Sequence, residues 1–119
     1  MGAIHVTVNL SWSQATSEYE NLFRVDTENM NSMAPAKDLK SLGFKPAGKM
    51  DYELANGQKV TYEYCGAVLQ FMGDKTFGRV IMGPDGIEPI LGVTALESTG
   101  ITIDPANKQL KRLPAIPLK

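Results

Sequence analysis

The chain has 119 residues, which suits one domain of ordinary size. Hydrophobic residues make up 43% and charged residues 21%, which excludes disorder and leaves room for a core without disulfides or structural metal. The formal net charge of −1, from 12 basic and 13 acidic side chains, argues against nucleic acid or an anionic membrane as partner, because both need a basic field.

No run approaches the roughly 20 apolar residues of a membrane span. The opening Met1-Gly2-Ala3-Ile4-His5 lacks the charged head and apolar stretch of a secretory signal. Val6 stands where a myristoylation motif after Gly2 wants Ser or Thr. A cytoplasmic protein is the expectation. With one cysteine, Cys65, no intrachain disulfide can form, and with one histidine, His5, no His/Cys zinc site can be assembled. The expectation is therefore no metal and no cofactor.

In chain order, residues 3–10 alternate, with Ile4, Val6, Val8 and Leu10 on one face and His5 turned to solvent, so a strand is predicted. Residues 11–21 are polar and read as a loop. Residues 22–25 form a short strand entering Asp26. Residues 29–34 read as loop, followed by a helix with Pro35 as its first residue, 36–42 as its body and Gly43 as its stop. Met50, Tyr52 and Leu54 alternate, as do Val60, Tyr62 and Tyr64, and the stretch Ala55-Asn56-Gly57-Gln58 between them signals a hairpin. A two-residue Asn-Gly loop would put the two apolar sets on opposite faces. A three-residue loop over 55–57 pairs Tyr52 with Val60 and Met50 with Tyr62, and places Gly57 at a left-handed position, so this register is predicted.

A further strand is predicted over 66–71, a turn at Gly73-Asp74-Lys75, and a strand over 76–82. Gly83-Pro84-Asp85-Gly86 reads as a turn, not a phosphate cradle. A short apolar strand follows over 88–91. Residues 93–99 form a helix stopped by Gly100, then strands lie over 101–105 and 107–111, with an irregular tail from Arg112. Cys65 lies in a strand-like run with no helix start or basic cluster near it, so a buried, inert thiol is expected. Tyr52, Tyr62 and Tyr64 read as half-buried packing residues. The whole describes one β-rich domain, 1–119, with two short helices, an N-terminal strand and loop over 1–20 and an irregular tail over 112–119.

Two segments stand out. Phe23-Arg24-Val25-Asp26-Thr27-Glu28-Asn29 delivers an acid and a hydroxyl from a strand into a loop, and Pro89-Ile90-Leu91-Gly92-Val93-Thr94 joins an apolar pair, a glycine and a helix. With the Leu-Ala-Asn-Gly hairpin and the closing Gly-Ile-Thr-Ile-Asp-Pro-Ala-Asn-Lys-Gln-Leu, the chain from about residue 20 to 110 resembles the retropepsin-like (clan AA) aspartic proteases, in their small bacterial and archaeal branch.

The resemblance implies an all-β, closed barrel with two short helices and a β-hairpin flap over 55–58, formed by Ala55, Asn56, Gly57 and Gln58. It implies a homodimer in which Asp26 meets its twin on a twofold axis. One carboxylate would take a proton from a water that attacks the peptide, while the other donates to the carbonyl oxygen. Thr27 would hydrogen-bond across the dimer, and Ile90, Leu91 and Gly92 would pack beneath the loop. The partner implied is a peptide or protein substrate.

The family pattern is Asp-Thr-Gly followed by Ala or Ser. Here Glu28 and Asn29 hold those places. Glycine there leaves room for a substrate backbone, whereas two Glu28 and two Asp26 would set four carboxylates near one axis. Three readings follow: an active homodimeric aspartic endopeptidase, a catalytically inactive dimer of the same fold that binds or scaffolds peptides, and a β-barrel domain in which Asp26 is a turn residue.

Overall fold

A computed structural model describes residues 3–118 of the chain. Alternation in the opening segment yields β1 (His5–Ser11), whose Val8 and Leu10 are fully buried while His5 and Thr7 face outward. It pairs antiparallel with β2 (Tyr19–Val25), His5 opposite Arg24 and Leu10 opposite Tyr19. The strand thus begins three residues before the first apolar run, because Tyr19 is buried and edges onto Phe23 with ring centroids 6.1 Å apart. The predicted loop over 11–21, and the loop end of the 1–20 segment, are shortened accordingly.

The 29–34 loop needs the same correction. Ser32–Pro35 form β3, parallel to β6 (Asp74–Gly83), so the polar composition of the segment hides a buried strand. Pro35 lies just outside helix α1 (Ala36–Ser41) as its extended cap, which suits a residue with fixed φ and no N–H to give. Leu39 is the buried side chain of α1.

The hairpin of β4 (Gly48–Glu53) and β5 (Lys59–Phe71) has the three-residue register: Tyr52 opposes Val60 and Met50 opposes Tyr62. Gly57 has φ +84°, and its N–H donates to the Leu54 carbonyl at 2.9 Å. The strands predicted separately over 60–64 and 66–71 are one continuous strand. Gly66 does not break it, because Trp12 packs where a side chain would stand. The next turn is Met72-Gly73, both at positive φ, one step earlier than the Gly73-Asp74-Lys75 prediction.

The remaining elements are β7 (Ile90–Leu91), α2 (Val93–Thr99) with Gly100 as its left-handed cap, β8 (Ile101–Asp104) and β9 (Gln109–Arg112). Arg112 closes β9, so the irregular tail starts one residue later than predicted. Lys119 lies outside the described residues.

Seven strands join in the order β1-β2-β7-β3-β6-β5-β4, and β1 also pairs with β5 through Asn9, Leu10 and Ser11. β8 and β9 form a separate pair. Inside lie Val8, Leu10, Phe23, Leu39, Phe44, Leu69, Phe71, Val80, Leu91 and Leu96. Among the described residues no helix is long and apolar enough to cross a membrane.

Two measurements check this core. Phe23→Ala should cost about 3–5 kcal/mol in urea unfolding, because a fully buried ring is removed. Cys65 is buried, and burial pushes its thiol up to about 11 from its ordinary value of 9.0. Between those pH values the unfolded thiol has lost its proton while the folded one keeps it. Stability should therefore hold below pH 9 and fall by about 3 kcal/mol as pH rises to about 11. Cys65→Ala should flatten that alkaline decline.

Candidate functional site

β2 runs out at Val25, and the next residue, Asp26, donates its N–H to the Leu91 carbonyl at 3.0 Å. β2 and β7 lie parallel there, with Arg24 opposite Ile90 and Val25 opposite Leu91. β7 also pairs with β3 through Ile90 and Met33. The 26–31 loop therefore leaves one neighbour of β7 and returns as the other. Ile90 and Leu91 lie buried between the two legs.

The loop is fastened from below. The Val93 N–H donates to the Asn29 carbonyl at 2.8 Å, and the Thr94 hydroxyl donates to the Met30 carbonyl at 2.7 Å. The Gly92 N–H donates to the Ser32 hydroxyl at 2.9 Å, and Ser32 is only 2% exposed. Gly92 is needed for the approach itself: a Cβ there would lie 2.5 Å from the Asn31 carbonyl carbon and 2.7 Å from the Met30 oxygen.

The Asp26 carboxylate, 17% exposed, is held on both oxygens. Oδ1 accepts from the Glu28 N–H at 3.1 Å. Oδ2 accepts from the Asn29 side-chain amide at 2.7 Å and lies 3.4 Å from Arg24 Nη1. Arg24 in turn donates from Nε to Glu88 at 2.7 Å, and His5 Nε2 stands 3.8 Å from the same Glu88 oxygen. Thr27, Glu28 and Asn29 are exposed. Among the described residues, the Thr27 hydroxyl and the Glu28 carboxylate have no hydrogen-bond partner.

Sequence reading thus places Asp26, Asn29, Ile90, Leu91 and Gly92 in one constellation, and the structure brings them together. It does not bring Ala55, Asn56, Gly57 and Gln58 to them. Those four are exposed at the hairpin tip and hydrogen-bond only within it. Arg24, Glu88, His5 and Ser32 went unread as site residues. For Arg24 the signal was present, since a strand period of two places it on the same face as Asp26. For Ser32 there was none, because its burial follows from β3.

No group of three His, Cys, Asp or Glu among the described residues could hold a metal ion. A groove of about 260 Å³ opens beside Asn31 and Ser32 between β6 and α2, and Asp26 is not among its walls.

No protein-family model matches the chain, and no curated protein does. Among solved structures it is similar to the solution structure of simian foamy virus (mac) protease, with a TM-score of 0.55 over 77% of this chain and 90% of that one. The fold is retropepsin-like. At 12% sequence identity the likeness concerns the fold alone.

Within that retropepsin-like fold, Gly92 is the position at which the loop and α2 touch backbone to backbone. Gly92→Ala should lower stability by about 1–3 kcal/mol in denaturant unfolding, by forcing a rigid backbone contact apart. Amide resonances of residues 29–32 and 92–94 should shift most. Little change there would mean that the loop is not held by this contact.

Proposed function

We propose that the chain is a homodimeric aspartic endopeptidase that hydrolyses peptide bonds in a peptide or protein substrate, in a single domain over 1–119. The observation that carries this reading is the delivery of Asp26, with one edge open to solvent, on a loop bound to the start of α2 through backbone groups. Such a carboxylate is positioned before substrate arrives. The pairing of β1 with β5 supports reading the sheet as a barrel closed on itself, and the chain is similar in fold to a viral protease.

In the mechanism, two copies of Asp26 face each other across a twofold axis and hold a water. One carboxylate takes a proton from that water as its oxygen attacks the scissile carbonyl. The other, protonated, donates to the carbonyl oxygen, which becomes a hydroxyl of the tetrahedral intermediate. On collapse the amine leaves with the proton that the first carboxylate took from water, and a hydroxyl of the intermediate returns its proton to the second carboxylate. This chemistry needs only the two carboxylates and water. The Thr27 hydroxyl, exposed and without a partner among the described residues, is free to reach the other subunit. The 55–58 hairpin serves as a flap over the cleft. The Asp-Thr-Glu-Asn sequence is read as a variant loop of the small bacterial and archaeal branch.

A specific observation favours a second reading, a catalytically inactive dimer that binds peptides or serves as a scaffold. The Asn29 amide and the Arg24 guanidinium both serve Asp26 Oδ2, and the Glu28 N–H serves Oδ1. These contacts occupy both oxygens of Asp26 within its own chain, whereas hydrolysis needs them turned to a water and a substrate carbonyl between two subunits.

The readings part in one assay, cleavage of a mixed peptide library between acidic and neutral pH. For the enzyme, the unmodified chain cleaves, and Asp26→Asn lowers kcat by at least about 10²–10⁴-fold, the usual share of acid–base catalysis. For the inactive dimer, the unmodified chain is silent, and Glu28→Gly creates cleavage that Asp26→Asn abolishes. A strict monomer in sedimentation overturns both.

A further inference from the structure

We infer that Glu28 selects a basic side chain, Lys or Arg, next to the scissile bond. The inference rests on the proposed reading of Asp26 as the centre that substrate meets. It begins from the matching of charges around that residue. Arg24 is engaged twice, by Glu88 at 2.7 Å and by Asp26 at 3.4 Å. Glu88 has Arg24 and, at 3.8 Å, His5. Asp26 has Arg24 and the Asn29 amide. Glu28, exposed, differs from these three in having neither an ion pair nor a side-chain hydrogen bond among the described residues.

Its place is fixed relative to the reacting centre, because its N–H donates to Asp26 Oδ1 at 3.1 Å. A peptide whose carbonyl lies at Asp26 therefore passes beside the Glu28 backbone, from which the exposed side chain can reach the flanking positions. The shape of the loop adds a second requirement. Met30, two residues on, is 68% exposed and turns an unbranched apolar side chain to solvent, while its carbonyl is occupied by Thr94.

A Lys or Arg suits both features. Its methylenes pack along Met30 while its charged head meets Glu28. An acidic side chain meets repulsion, and a purely apolar one leaves the carboxylate unmatched. In a dimer the twofold axis supplies two Glu28, one on each side of the scissile bond. A cationic peptide then also relieves the repulsion between them, so it should favour the dimer.

The test compares matched peptides that differ at one position, lysine against norleucine, scanned through the residues flanking a central bond. Cleavage is read as kcat/KM, and fluorescence anisotropy of labelled copies with a reduced, uncleavable central bond reads affinity alongside. Lysine should be favoured at one or more flanking positions by about fivefold in low salt. The preference should shrink as salt is raised and vanish in Glu28→Gln, which keeps the backbone donor to Asp26. Lysine preference in affinity without any cleavage would uphold the inference while overturning hydrolysis. Equal treatment of lysine and norleucine would overturn it. So would a lysine preference that survives in Glu28→Gln, or the absence of binding by either peptide.

Discussion

The contact between the Asp26 loop and the start of α2 sets the geometry of everything near it. Five hydrogen bonds cross it, from Asp26 to Leu91, Gly92 to Ser32, Val93 to Asn29, and from both the N–H and the hydroxyl of Thr94 to Met30. They can form only because Gly92 has no side chain: its ideal Cβ would lie 2.5 Å from the Asn31 carbonyl carbon. A loop held in this way, and by the Asp26 carboxylate within it, does not need its other exposed side chains for its shape. That frees Thr27, Glu28 and Met30 to face solvent.

The same contact explains why a polar segment folds inward. Ser32 is the one buried polar residue among the described residues, and its hydroxyl accepts the Gly92 N–H, so the cost of hiding it is offset. β3 then fits between β7 and β6, parallel to the latter. Parallel strands need a long connection between them, and β4 and β5 occupy it. The β4–β5 hairpin is therefore part of the route by which the chain returns to β6.

On the outward face of β2, charge replaces apolar packing. Arg24 stands between Glu88 and Asp26, and His5 approaches Glu88 from β1. This chain thereby couples its candidate acid to neighbours on two other segments. The inner face of the same strand is Phe23 and Val25, both buried. The separation follows from the period of two: one strand can serve a core and a polar site at once. Across the β4–β5 hairpin the outer face is aromatic. Tyr52 and Tyr62 lie 6.2 Å apart, and the Arg79 guanidinium sits 4.1 Å from the centroid of Tyr64. The tyrosines are packing residues of that sheet, as their spacing indicated.

Sequence by itself determined the elements whose signals are local. α2 ends at Gly100 and the 55–57 hairpin has its register because φ and side-chain alternation are properties of neighbouring residues. The Asp26 loop and the 90–92 segment could be singled out through a resemblance to a known family. The continuity of β5 through Gly66, the strand at 32–35 and the ring of donors around Asp26 were decided by tertiary structure alone. Trp12 fills the space over Gly66, β6 and β7 supply the partners of β3, and Arg24 meets Glu88 across 64 positions of chain. Each depends on residues brought close only by folding, and a linear pattern does not carry that information.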